Sequence, residues 1–187
     1  MPTFSAQVSQ STDDGSQNSS GTVTLTGGAA VLSVSTWLAA RFQNVTIPSG
    51  ATISAATLSL WATTAKTINS NIFENKLANP STLSSTTNYI SGLSQTSQSA
   101  NWAATLTSGA FNTSPSISSI VSALIGLGGW ASGNAMLFVF QNTETMSLAV
   151  AVEMYDGTPS EAAELSVTYT APAGGGNSMM VGMMGFH

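Results

Sequence analysis

The sequence predicts an all-β domain crossed by a single helix, and three observations carry that expectation. Most apolar residues fall in short β-branched segments bounded by Gly, Pro, Asn and Ser. Ile117, Ile120, Val121, Leu124 and Ile125 form the one stretch with the i, i+3, i+4, i+7, i+8 spacing of a helix with a buried face. The run from Ala135 to Phe140 that follows is apolar on both faces, as a strand buried between a sheet and the helix would be.

Composition narrows the function classes. The 187 residues suffice for one domain with a substantial core and leave no length for a second. Only 6% are charged, against about 25% in an average soluble domain, so solubility rests on hydroxyls and amides. Arg41, Lys66 and Lys76 face eight acids for a net charge of -5. Binding of nucleic acid therefore has no electrostatic basis and is not expected. There is no cysteine, and the single histidine is His187. Disulfides, thiolate chemistry, Ser-His pairs and Cys/His zinc sites drop out together, and no metal or cofactor is expected.

Residues 1–21 are Ser-, Gln-, Asp- and Asn-rich and read as a loose arm or a polar first strand, with Asp13-Asp14-Gly15 favoured as a turn over a contribution to a calcium site. Thr22–Thr26 and Val31–Ser35, separated by Gly27-Gly28, are expected to pair as a hairpin. Arg41–Ile47 leads through Pro48-Ser49-Gly50 into a long strand, Ala51–Ala62. In that strand Ala56, Leu58, Leu60 and Ala62 share one face, while Thr57, Ser59 and Trp61 share the other. From Thr63 to Thr113 the periodicity fades into polar sequence anchored by Phe73, Leu77, Tyr89, Ile90, Leu93, Trp102, Leu106 and Phe111.

The helix is expected over about 114–126, with Ser114 as its cap, Pro115 in its first turn and Gly126 as a left-handed exit. Met146–Met154 alternates as a strand, Tyr155–Ser160 reads as a turn in which Asp156 bonds its own backbone, and Leu165, Val167 and Tyr169 mark the last strand. The chain thus divides into the 1–21 segment, a 22–170 β-sandwich and a 171–187 tail. The tail is a flexible Gly-rich linker followed by Met179, Met180, Val181, Met183, Met184 and Phe186. Methionine adapts well to an irregular groove, so these residues are the candidate contact with a neighbouring subunit; folding back on the domain is the other reading.

Residues 41–60, Gly129-Trp130-Ala131-Ser132-Gly133-Asn134-Ala135 and the stretch from Tyr155 to Tyr169 resemble the DNRLRE-type, carbohydrate-binding-module-like domains of bacterial surface and phage structural proteins. The resemblance runs in order over roughly residues 30 to 170. It implies an antiparallel jelly-roll β-sandwich with a short helix near one edge, and it gives Trp130 a scaffold position. Glu161-Ala162-Ala163-Glu164-Leu165 departs from it, since relatives commonly carry a proline and a basic residue there.

The N-terminus lacks the basic and apolar regions of a secretory signal, and no apolar run approaches the roughly 20 residues of a membrane span. A composition of extracellular type without a signal fits a virion assembled in the host cytoplasm, with the bacterial cell surface as the alternative. The expected function is a non-enzymatic phage virion structural protein, such as a decoration, neck or tail component held by other virion proteins and able to form homo-oligomers. The alternative is a carbohydrate-binding module or adhesin for host surface glycans, with Trp61, Trp102, Tyr155 and Tyr89 as stacking groups. Paired carboxylates such as Glu153 and Asp156 are the remaining route to a glycosidase, and they are expected at a solvated rim.

Overall fold

The computed structural model describes residues 1–143 and 149–172. In chain order the elements are β1 (Thr3–Gln7), β2 (Asp14–Gln17), β3 (Val23–Thr24), β4 (Ala29–Leu32), β5 (Trp37–Phe42), β6 (Thr52–Ala62), β7 (Thr67–Glu74), β8 (Ala100–Thr105) and β9 (Ala110–Thr113). After these come helix α1 (Ser118–Ile125), β10 (Met136–Asn142), β11 (Val150–Glu153), a 3-10 turn at Pro159–Glu161, and β12 (Glu164–Thr170). Met146 and Leu148 of the expected Met146–Met154 strand lie outside the described residues.

Period-two burial assigns each strand to a layer. Ala56, Leu58, Leu60 and Ala62 are buried on β6, as are Ile68 and Ile72 on β7, and these residues meet in one shared core with Phe42, Phe138, Phe140, Val150, Val152, Leu165 and Val167. One sheet runs β1-β12-β6-β11-β4, with β9 also on β6, and the other runs β3-β2-β5-β10-β7-β8. Every described pairing is antiparallel. β4 pairs with β11, β5 with β10, β6 with β9 and β7 with β8. That nested order is a jelly roll, as the resemblance implied.

Several local expectations change. Segment 1–21 is neither loose nor a single strand: β1 pairs with β12 in the first sheet and β2 with β5 in the second. The β3–β4 hairpin does not form, because the two segments belong to different sheets. β3 pairs with β2, whereas Ala30 and Leu32 of β4 need the sandwich interior and reach it beside β11. The glycine pair therefore carries the chain across the sandwich edge.

The helical stripe is buried as expected, with Ile117, Ile120, Val121 and Leu124 each 0% exposed, and α1 packs against β6 and β7. Its ends differ. Ser114 extends the contact with β6, its N–H donating to the Leu58 carbonyl at 2.8 Å and its hydroxyl accepting from the Leu58 N–H at 3.0 Å. The helix starts only at Ser118, with no side-chain cap, and Gly126 is right-handed at φ -83°. Trp130 anchors the chain after the helix by donating from Nε1 to the Ile47 carbonyl at 3.1 Å.

β10 is buried on both faces, but α1 does not supply the second cover. Leu137 and Val139 lie with Ala39 under Val23, Leu83 and Ile90, joined by Leu25, Trp37, Tyr89 and Leu93. The long β7–β8 connection is thus an apolar cap over part of the second sheet.

Candidate functional site

Period-two alternation leaves the outer face of the first sheet open. Gln7, Glu164, Ser59 and Thr113 stand in one cross-strand row, and Trp61 pairs with Phe111 one step further along β6. A depression of about 430 Å³ lies between β1, β12 and β6, lined by Ser5, Gln7, Ser59, Glu164 and Ser166. Trp61 is half-buried, with its ring 5.2 Å from Phe111 in an edge-to-face contact.

Two carboxylates border this face. Val152 pairs with Ala62 and Glu164 with Ser59, so β11 and β12 run in line along one edge of β6, interrupted by residues 154–163. Glu164, opposite Ser59, and Glu153, the residue after Val152, stand at the two lips of the interruption. Asp156, inside it, accepts from the Ser11 hydroxyl at 2.7 Å instead of turning back on its own backbone.

The other aromatic candidates go elsewhere. Trp102 is 2% exposed and packs 6.3 Å from Phe140 inside the sandwich, so it has no face to offer a sugar. Tyr155 is half-buried against the core, and Tyr89 belongs to the apolar cap. Met179, Met180, Val181, Met183, Met184 and Phe186 lie outside the described residues.

A second open surface was not legible as a site. On the second sheet Trp37, Gln141, Asn71 and Asn101 fall in register across β5, β10, β7 and β8. Their neighbours Leu38, Phe140, Ile72 and Trp102 point inward, so these four point outward. The Asn101 amide donates to Asn69 at 2.7 Å and to Asn71 at 3.1 Å. The only sequence signal was Asn69 and Asn71 alternating with Ile68 and Ile72, and that pattern says nothing about cross-strand register.

Three carboxyls are buried. Asp13 pairs with Arg41 at 2.6 Å and accepts from Gln43 as well, while Arg41 also donates to the Pro80 carbonyl. Asp14 accepts the Tyr155 N–H, and its Oδ1 has no partner among the described residues. Loss of solvent, with Asp156 and Asp13 nearby, pushes Asp14 up to about 7, against the pull of the Tyr155 N–H. Glu74 faces the interior at the end of β7, and burial pushes it up to about 8 while the nearby Thr96 hydroxyl pulls the other way. Neither Glu74 oxygen has a partner of hydrogen-bond geometry among the described residues. Protein donors occupy both Asp13 oxygens and one Asp14 oxygen, so the pair links the start of β2 to Arg41 of β5 and to Tyr155. Among the described residues no three His, Cys, Asp or Glu side chains are grouped to hold a metal, and no helix is long and apolar enough to cross a membrane.

The chain matches no family model and no curated protein.

Proposed function

We propose that the protein is a non-enzymatic virion structural protein, a jelly roll held to other particle proteins at one end and displaying its sheet faces. The supporting observation is the pairing of β1 with β12. Thr3 opposes Thr168 and the Tyr169 N–H donates to the Pro2 carbonyl at 3.1 Å, so Pro2 and Tyr169 are neighbours at one edge of the sandwich. Pro172, the last described residue before the Gly-rich and Met-rich sequence, follows β12 by two positions, so contacts made by that sequence would start from this edge. The charge-poor, hydroxyl-rich surface suits a protein packed in many copies, where modest contacts add through avidity. The test is co-purification of the full chain with intact particles, repeated with a chain lacking residues 174–187. Folded but unincorporated truncated protein is expected; normal incorporation defeats tail docking, and absence of the full chain from particles defeats the virion role.

Carbohydrate binding is the second reading, favoured by Trp61 beside the hydroxyl-lined depression of the first sheet. The two readings are compatible, since a displayed domain can hold a host glycan. A glycan array probed with the full chain tests it, and an array without hits counts against it.

A further inference from the structure

We propose that the Trp37–Gln141–Asn71–Asn101 row on the second sheet is a binding trough for a neutral, unbranched oligosaccharide. This rests on the carbohydrate-binding reading above but puts the ligand on the opposite side of the sandwich from Trp61.

The row has the donor set that a polyhydroxyl chain requires. Three carboxamides stand side by side on adjacent strands; Gln141 and Asn71 each offer a donor and an acceptor to neighbouring hydroxyls, while Asn101, whose N–H donors go to Asn69 and Asn71, offers its oxygen. The Asn101 bonds to Asn69 and Asn71 use donors on one side chain and acceptors on two others, fixing the amides in orientation while leaving the Asn69 and Asn71 N–H groups to face outward partners. Trp37, between Gln141 and the buried Gln17 of β2, packs part of its indole on the cap and, being only half-buried, keeps the remainder for the apolar face of a sugar ring. Strand spacing makes the row about 14 Å long, enough for several rings laid across the strands.

Two features select the occupant. The row and its outward neighbours Thr67, Asn69, Ala103, Thr105 and Thr143 carry no ionisable group. Among the described residues of this face an acidic glycan, phosphate or charged peptide therefore finds no charged partner, whereas a neutral chain carries no charge to desolvate and can exchange its water bonds for amide bonds. The apolar cap covers the adjoining row at Ala39 and Val139, and Gln17 at the cap's margin is locked to Ser91 by bonds of 2.8 and 3.0 Å. The cap thus stands as a wall along one side of the amides, which favours a linear ligand over a branched one.

The test applies neutral and acidic oligosaccharide arrays to the full chain, then titrates the best neutral binder into wild type, Asn71→Ala/Asn101→Ala, Trp37→Ala and Trp61→Ala. The amide pair and Trp37→Ala are expected to weaken binding about tenfold or more, with Trp61→Ala unchanged. Ligand-induced NMR shifts on the wild type, centred on Gln141, Asn71 and Asn101, give the same answer without any variant having to fold. Loss of binding in Trp61→Ala alone, or shifts centred on Ser59 and Glu164, overturns the trough and leaves carbohydrate binding standing. Selective binding of acidic glycans overturns the ligand class, and no binding at all removes both the trough and the reading beneath it.

Discussion

The Tyr155 N–H donates to Oδ2 of Asp14 at 2.8 Å, joining residues 141 positions apart. The bond ties β2 of one sheet to the interruption between β11 and β12 of the other, so a buried carboxyl latches the edge of the sandwich.

That latch and Glu74 make stability depend on pH in an unusual direction. Both carboxyls are raised in the folded state, from 3.8 to about 7 for Asp14 and from 4.5 to about 8 for Glu74. Between those limits the folded state binds more protons than the unfolded one, so stability falls as pH rises from about 4 to about 8. Asp14 faces the charges of Asp13 and Asp156, which deepen the effect when it ionises. Denaturant midpoints from pH 4 to 9 should decline across this window. Glu74→Gln should flatten the decline and be more stable than wild type at pH 8, by on the order of 2 kcal/mol. Asp14→Asn keeps an acceptor for Tyr155 and should act in the same direction.

Arg41 neutralises an Asp13 that is 0% exposed. Arg41→Met should cost about 3–5 kcal/mol by stranding that charge. Adding Asp13→Asn should recover most of the loss, since Gln43 still has an oxygen to bond. A double-mutant cycle by urea unfolding measures the coupling, and additive losses would contradict it.

The tryptophans separate by layer. Trp102→Ala should cost about 3–5 kcal/mol, because it opens a cavity beside Phe140. Trp61→Ala should cost roughly 1 kcal/mol, the scale of its contact with Phe111. Chemical denaturation of the two variants distinguishes them.

Gly157 packs where a side chain has no room, since an added Cβ would press on the Gly28 carbonyl and the Glu153 carboxylate. Gly28 is held there by the Met154 N–H, which donates to its carbonyl at 3.0 Å. Gly157→Ala should therefore cost about 1–3 kcal/mol. Gly128→Ala, with open space around it, should leave the melting temperature within a degree or so of wild type.

What could be read from the chain alone follows from where regular patterns survive. β6 and the Ile117–Ile125 stripe were legible because every inward position is apolar. β7 was not, because Ser70 and Glu74 occupy inward positions and break its alternation. β1 and β2 were hidden by their polarity, and the expected hairpin failed because local sequence does not say which sheet a strand joins. Trp61 was placed on an outer face by alternation alone. The amide row was not, since its members are brought together by pairings 30 to 104 residues apart along the chain.

The nested pairing also sets an order of events during synthesis. β7 and β8, the innermost pair, can meet as soon as residue 105 has emerged, and each outer pair closes a longer loop. β1 waits longest, because Thr3 finds its partner only when Thr168 has been made. Until then its sequence, Thr-Phe-Ser-Ala-Gln, stays unpaired, and its shortness, with polar residues alternating around Phe4 and Ala6, limits how readily that waiting strand recruits the wrong neighbour.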